Sequence, residues 1–255
     1  MRGKRIPLSL PRRFVNDLLW AARGVPTVPV QRRMHLGGLV QARATQADRP
    51  SWSALFMLAY ARVAQATPEL RRAYVRFPTP HLVEYPVCVA NVAVEREYRG
   101  EAGVFAGRLK NPAALSPAAA HAAVLHLQTV PVEACKDFRR SLALSRLPLV
   151  VRRLAWWVAL NSARQRGNYV GTFGVSVYSA LGAESLHPIS PCTTTLTYGV
   201  IDPNGVVDVR LVYDHRVVDG ATVARALDAL EHELTGRLAA ELAATARPAV
   251  LRVAG

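Results

Sequence analysis

The chain has 255 residues, 51% hydrophobic and 20% charged, a composition that builds a substantial core and excludes intrinsic disorder. Its formal net charge is +14, from 32 basic and 18 acidic residues, and only Lys4, Lys110 and Lys136 are lysines. Arginine suits phosphate groups, which it binds in a bidentate manner, but a GC-rich genome would produce the same bias without any function. Because there is no recognisable binding motif or aromatic platform, the charge alone does not indicate a nucleic-acid partner.

The sequence also argues against three other classes of protein. Cys88, Cys135 and Cys192 are too widely spaced for a disulfide framework or a CxxC metal site. The basic start of the chain lacks the long apolar stretch of a secretory signal, and no apolar run approaches the roughly 18 residues of a membrane span. We therefore expect a soluble, cytoplasmic protein without a metal site.

In chain order, the first predicted element is a basic arm over residues 1–13, which carry five positive charges and no acid. A helix is predicted from Phe14, with Gly24 able to end it, and residues 25–43 are rich in strand-forming side chains. Ser51 is a good N-cap for a helix over the following 15 residues. Further strands are predicted over residues 74–77, 87–94 and 104–109.

The middle of the chain is predicted to be helical. An alanine-rich helix spans residues 117–128, and residues 132–166 form two helices separated by Pro148. The many basic residues of this segment are a solvated face in the simplest interpretation, and contact with phosphate, an acidic partner or a membrane surface is the alternative. Trp156 and Trp157 stand beside two arginines, a composition that is typical of a protein interface.

The last third alternates strands with tight turns. Strands are predicted over residues 169–178, 193–201 and 206–213, with an Asp-Pro-Asn-Gly turn before the last of them. A long helix follows, with apolar residues at helical spacing from Val223 to Leu242. Because there is no internal repeat and no Gly-rich phosphate loop, this pattern predicts one mixed α/β domain.

His215 is the histidine whose context indicates chemistry. It lies in a short polar turn between a strand and a helix, where a side chain can be held rigidly and still reach a cleft. Asp219 follows four residues later, and Gly220 permits a tight exit from the turn. A His-xxx-Asp spacing by itself is weak, since chance produces it in a chain of this composition.

Two longer motifs extend this observation. The string DHRVVDG (residues 214–220) resembles the signature of the dihydrolipoyl acyltransferase catalytic domain of 2-oxo acid dehydrogenase complexes, and the string GTFGVS (171–176) resembles that family's GTFTIS segment. Residues 12–30 are similar to the family's opening helix and strand. The resemblance implies a chloramphenicol acetyltransferase-like α/β fold, an α+β two-layer sandwich in which helices flank a mixed sheet. It also implies one catalytic domain over residues 14–255, with an extra helical segment at about 132–168.

The resemblance implies three site residues. His215 would be the general base, because a thiol with a pKa of about 8.5 needs one at neutral pH and an imidazole suits the task. Ser176 would donate a hydrogen bond to the oxyanion of the transition state, in a direct transfer without an acyl-enzyme. Asp219 would be a structural aspartate that pairs with an arginine; the candidates for that arginine are Arg12, Arg13 and Arg216.

The implied activity is acyl transfer between coenzyme A, or a lipoyl or carrier-protein thioester, and a thiol, hydroxyl or amine acceptor. The three lysines do not stand at a lipoyl-type hairpin tip, so we expect no covalently attached lipoyl group and a separate acyl-CoA or carrier protein as partner. A homotrimer, or a larger assembly of trimers, is expected to complete the site. The alternative is a catalytically degenerate scaffold protein of the same fold.

The sequence also departs from the family pattern. Ser176 and His215 are 39 residues apart, closer than the family usually has them, and Val177 replaces a polar residue. A short turn near Asn204 replaces a longer connection, so we expect the site itself to survive. A different chemistry, with Cys192 as a nucleophile beside His215, is less favoured, because the residues around Cys192 are typical of a strand entry; we interpret this cysteine as a packing residue.

Overall fold

A computed structural model of the chain describes residues 1–245; the last ten residues of the predicted domain lie outside this range. The helices are α1 (Leu10–Ala22), α2 (Gly37–Ala44), α3 (Trp52–Ala66), α4 (Pro117–Thr129), α5 (Lys136–Arg146), α6 (Leu149–Asn161), α7 (Ala163–Gln165), α8 (Gly220–Glu233) and α9 (Ala239–Thr245). The strands are β1 (Thr27–His35), β2 (Arg72–Val75), β3 (His81–Glu84), β4 (Val89–Tyr98), β5 (Glu101–Lys110), β6 (Phe173–Val175), β7 (Thr194–Tyr198) and β8 (Val206–Asp214). None of these helices is long and apolar enough to cross a bilayer.

Six strands form one mixed sheet in the order β1-β8-β7-β6-β4-β5, and β2 and β3 form a separate hairpin. The short strand β6 runs parallel to both of its neighbours, β4 and β7, whereas the other pairs in the sheet are antiparallel. The mixed sheet flanked by helices confirms the predicted fold class.

The main core lies on one face of this sheet. The sequence of α3 is apolar almost all round, so the helix is buried on nearly every side, as a helix without a polar face must be. Its N-terminus is capped as predicted, because the Ser51 hydroxyl accepts a hydrogen bond from the Ala54 amide. The Tyr60 ring meets the Phe173 ring edge-on at 4.8 Å, which joins α3 to the centre of the sheet.

The opposite face carries a second layer that includes α1 and α6. Trp156 and Val170 belong to its small buried cluster, and the Phe14 ring lies 6.0 Å from the Trp156 ring. Asp17, only 1% exposed, lies between the guanidinium groups of Arg152 and Arg153 at 3.3 and 3.6 Å. This buried carboxylate draws α6 onto α1, because two cations meet it from the neighbouring helix.

Two helices separated by Pro148 are present as predicted, and Pro148 is the N-cap residue of the second. The two tryptophans of α6 have different environments. Trp156 is buried within the chain, whereas Trp157 is 45% exposed and its ring stacks obliquely on Phe77 at 5.4 Å. The expectation of an interface therefore applies to Trp157 and not to Trp156.

Three predicted elements differ from the structure. The first helix begins at Leu10 instead of Phe14, because the Ser9 hydroxyl accepts from the Arg12 amide and Pro11 suits a first helical turn. Residues 37–44 form α2 instead of extending the strand. The predicted strand over 169–178 shrinks to β6: residues 166–170 form a wide helical turn, and Gly171 at φ +84° redirects the chain into the strand.

Candidate active site

The turn that carries His215 is held by an ion pair whose carboxylate is fully buried. Asp214 ends β8 with no exposed surface, and its amide donates to the Thr193 carbonyl at 2.8 Å. Its carboxylate accepts two side-chain hydrogen bonds from Arg216, at 2.9 and 2.7 Å, and a third bond from the Arg216 amide. Arg216 in turn lies over the Tyr74 ring at 4.3 Å. A bidentate pair of this kind fixes both residues, and so it fixes the residue between them.

His215 projects from this rigid turn into solvent. Its backbone amide donates to the Pro26 carbonyl at 3.0 Å, while its side chain is 49% exposed. Its Nδ1 lies 3.8 Å from an Asp219 carboxylate oxygen, and the ring centroid lies 5.4 Å from that of Tyr213. The histidine and the aspartate of the motif are therefore together, with the Nδ1 edge of the imidazole toward the carboxylate.

The environment of Asp219 differs from the one expected. Its side chain is 86% exposed, and within residues 1–245 no arginine lies within 4.0 Å of its carboxylate. Arg216, one of the three candidate partners, pairs with Asp214 instead. The expectation of an arginine pair for Asp219 within one chain is thus wrong, and the buried structural aspartate of the motif is Asp214. Sequence reasoning did not single out Asp214, although it is the first letter of DHRVVDG and immediately follows a buried strand.

Ser176 continues directly from β6. Its amide donates to the Leu196 carbonyl at 3.1 Å, which extends the pairing of β6 with β7 by one bond. Phe173 and Val175 lie in the main core, so strand alternation places Gly174 and Ser176 on the other face of the sheet. A Cβ at Gly174 would lie 3.2 Å from the Thr195 hydroxyl, so glycine suits this position, which is beside Ser176 on the same face of the sheet.

One chain does not bring Ser176 and His215 together. Val175 is in register with Leu196 and Leu196 with Leu211, so Ser176 is level with the middle of β8, whereas His215 follows the end of that strand. Five residues of strand and two strand spacings separate them, which amounts to about 15–20 Å. Since β6 and β8 are antiparallel through β7, their carboxyl ends point to opposite ends of the sheet.

The loop over 177–193 connects these two ends of the sheet. At the serine end, its Glu184 carboxylate accepts a bond from Arg210 at 2.6 Å. At the histidine end, the His187 ring lies 2.7 Å from the Thr27 hydroxyl, and Thr27 is the register partner of Asp214. The loop and the strand end beside it leave several large apolar side chains in solvent: Tyr178, Leu181, Leu186, Ile189 and Val200. We refer to these five residues as the apolar rim.

Cys192 has the environment of a packing residue. It is 3% exposed, and its Sγ lies 3.4 Å from the Val170 carbonyl. Burial raises the pKa of the thiol, which disfavours the thiolate that a nucleophile needs. Within residues 1–245, no group of three or more histidine, cysteine, aspartate or glutamate side chains could hold a metal ion.

Comparison with known proteins gives a result at the level of structure only. Neither the family profiles nor the curated sequences match this chain. A probable dihydrolipoamide acetyltransferase from Listeria monocytogenes is similar with a TM-score of 0.67 and 17% identity, over 92% of this chain and 95% of that one. Chloramphenicol acetyltransferase is similar with a TM-score of 0.51 and 16% identity, over 91% and 96% of the two chains. The chain has the fold of these acetyltransferases.

Two further structures bear on the site. The dihydrolipoamide acetyltransferase of Azotobacter vinelandii (TM-score 0.67, 17% identity, 92% and 93% coverage) was studied for the catalytic roles of a serine, a histidine and an asparagine four residues after that histidine. Its serine and histidine are 13 residues further apart than Ser176 and His215 are here. The cubic core of a pyruvate dehydrogenase complex is also similar (TM-score 0.65, 17% identity, 92% and 93% coverage). The resemblance inferred from the two motifs is thereby confirmed as a resemblance of fold.

Proposed function

We propose that the protein is an acyltransferase that moves an acyl group directly between coenzyme A, or a lipoyl or carrier-protein thioester, and an acceptor thiol. The observation that carries this proposal is the turn after β8, where the ion pair of the buried Asp214 with Arg216 presents a half-exposed His215 with Asp219 beside its Nδ1. That turn occurs in a fold shared with dihydrolipoamide acetyltransferases, one of which was studied for the catalytic roles of a serine and a histidine.

The catalytic unit in this proposal is a homotrimer, with each site formed between two subunits. The separation of Ser176 and His215 within one chain supports it, because neither residue has a catalytic partner there. The apolar rim supports it as well, since clustered large apolar side chains on a surface are typical of a protein interface. His215 of one subunit would meet Ser176 of the next, and larger assemblies of trimers would be compatible with this arrangement.

In the proposed mechanism, the acceptor thiol gives its proton to Nε2 of His215 as its sulfur attacks the thioester carbonyl. An Asp219 carboxylate on the Nδ1 side favours the tautomer that leaves Nε2 free, and the present 3.8 Å would shorten as the imidazolium forms. The Ser176 hydroxyl donates to the oxyanion of the tetrahedral intermediate. Collapse of the intermediate expels the coenzyme A thiolate, which takes the proton back from His215.

A complementation assay tests the proposal. Release of coenzyme A is followed with a panel of acyl-CoA donors and dihydrolipoamide as acceptor. His215→Ala and Ser176→Ala should each be inactive alone. When the two variants are co-expressed in equal amounts, about a quarter of the sites should combine an intact histidine with an intact serine, and about a quarter of the activity should return.

Two results would contradict the proposal. Failure of the mixture to regain activity, in mixed oligomers whose subunit exchange is verified by mass spectrometry, would show that the two residues do not share a site across an interface. A trimer that turns over none of the donors would favour the scaffold alternative. Light scattering provides the remaining check, because an active monomer near 27.8 kDa would exclude a site between subunits.

A further inference from the structure

A cavity of about 480 Å³ lies between α1, α5, α6 and the sheet, on the sheet face that also carries Gly174 and Ser176. Its wall is mostly apolar and includes Phe14, Leu18, Leu144, Trp156 and Ala159. The volume lies within the range of small-molecule sites, roughly 300–1,000 Å³. Ser176, His215 and Asp219 are absent from its lining, so an occupant would not be held by the proposed catalytic residues.

Two polar atoms in residues of this wall have no hydrogen-bond partner among the described residues. They are Oδ1 of Asn91 and Nε1 of Trp156, and both are buried. A buried donor or acceptor without a partner is costly to a fold, and native proteins satisfy most such atoms. Neither atom is exposed to the cavity, so an occupant would be held there by apolar contact.

A basic groove adjoins the cavity. It has a volume of about 820 Å³ and is lined by Lys110, His126 and Lys136, among other residues. Four residues line both spaces and form a gate between them: Arg108, Asp137, Arg140 and Tyr169. The apolar cavity therefore opens onto a positively charged surface.

The charges at the gate are not balanced. Asp137 pairs with Arg108, and its second cation, Arg140, lies at 3.9 Å. The Tyr169 ring contacts both guanidinium groups, at 5.3 and 5.7 Å from its centroid. The Arg140 side chain is 47% exposed, so its guanidinium N–H groups are accessible to an anion in the groove.

We propose that the cavity and the groove together bind a single-chain amphiphile, with its apolar chain in the cavity and an anionic phosphate or carboxylate head at Arg140. The apolar wall suits a buried hydrocarbon chain. An anionic head group suits the gate and the groove, because among the described residues their lining has one acidic residue, Asp137, against four cations: Arg108, Lys110, Lys136 and Arg140. The proposal is independent of the acyltransferase function, because it uses none of that site's residues.

Calorimetric titration of the full chain tests this with dodecyl phosphate, dodecanoate and dodecanol, each below its micelle-forming concentration. One equivalent of an anionic probe should bind, and dodecanol should bind more weakly by about tenfold, since it lacks the charge-assisted bond. Shortening the chain to decyl and octyl should weaken binding by about fourfold per methylene. Preference for the phosphate or for the carboxylate would identify the head group, and either preference supports the proposal.

Matched variants locate the site. Ala159→Phe fills the cavity and should abolish binding, whereas Val150→Phe adds the same ring on the exposed side of α6 and should not. Arg140→Gln should weaken the anionic probes by about tenfold, while Arg139→Gln removes the same charge from a residue that lines neither space and should have no effect. Thermal unfolding of each variant controls for misfolding.

Three results would overturn the proposal. Equal binding of dodecanol and dodecyl phosphate would remove the role of the basic gate. Unchanged binding by a folded Ala159→Phe variant, together with loss in Val150→Phe, would place the chain on the outer face of α6, as expected for a membrane-surface helix. Absence of any chain-length dependence in the unmodified protein would exclude a buried hydrocarbon chain.

Discussion

The two ends of the six-stranded sheet are built differently. At the histidine end, the fully buried Asp214 pairs with the partly exposed Arg216, and the turn is held by backbone bonds from both sides. At the serine end, the corresponding ion pair, Arg33 with Asp208, is largely exposed, and Tyr178 of the apolar rim faces solvent two residues after Ser176. The first ion pair thus has a fully buried carboxylate, whereas the second has a largely exposed guanidinium.

This difference explains how a half-exposed histidine can still be precisely placed. The backbone of His215 is held by Asp214 and Arg216 on either side, and its ring is not fixed by burial. Within residues 1–245, Ser176, at the end of β6, has no comparable ion pair beside it. The following predictions test this contrast.

The largest effect is expected for His215→Ala. Loss of a general base lowers turnover by about 10²–10⁴-fold. The melting temperature should not change, because the imidazole is half-exposed and the turn is held by its neighbours. His232→Ala, which removes another exposed histidine from α8, is the control for both measurements; equal loss of activity in the two variants would remove His215 from the mechanism.

The second prediction separates the two aspartates of the motif. Asp214→Ala leaves Arg216 without its carboxylate and should lower the free energy of unfolding by about 1.5–3 kcal/mol, the usual cost of losing hydrogen bonds to a charged group, since the guanidinium left behind is partly exposed. Asp219→Ala, at an exposed position, should change it by less than about 0.5 kcal/mol. Urea unfolding of the two variants measures the difference. A large loss for Asp219→Ala would indicate an arginine partner from another subunit.

Ser176→Ala is expected to lower kcat by about 10²–10³-fold, the usual effect of removing one oxyanion donor. KM should change little, because the hydroxyl acts on charge that develops only in the transition state. Ser185→Ala, in the loop that follows, is the matched control. A large rise in KM with kcat preserved would indicate that Ser176 binds substrate instead.

The smallest effect is expected at the exposed ion pair of the serine end. The hydrogen bond from Arg33 lowers the pKa of the Asp208 carboxyl. The pair therefore contributes stability above the unfolded carboxyl's value near 3.8, and this contribution is lost as the pH falls through the lower folded pKa. Arg33→Ala should be slightly less stable than the parent at pH 7 in low salt and equal to it in strong acid or high salt. A salt-independent loss of several degrees would show that Arg33 acts through packing.

Local signals in the sequence determined much of the fold. The cap at Ser51, the break at Pro148, the turn before β8 and the apolar spacing of α8 each act over a few residues, and the structure contains all four. The two motifs predicted the fold by a different route, through their resemblance to a family whose fold is known. Their proposed catalytic roles remain predictions.

Tertiary structure alone decided which aspartate is buried and where the site residues lie. Asp214 and Asp219 are acidic residues of the same motif. The pairing of β8 with β1 and β7 buries Asp214 and leaves Asp219 in solvent. The separation of Ser176 from His215 follows from a strand order in which β6 joins the sheet between β7 and β4, strands distant in sequence. Long-range pairing of this kind leaves no local pattern, because its energy comes from contacts between residues that the chain places far apart.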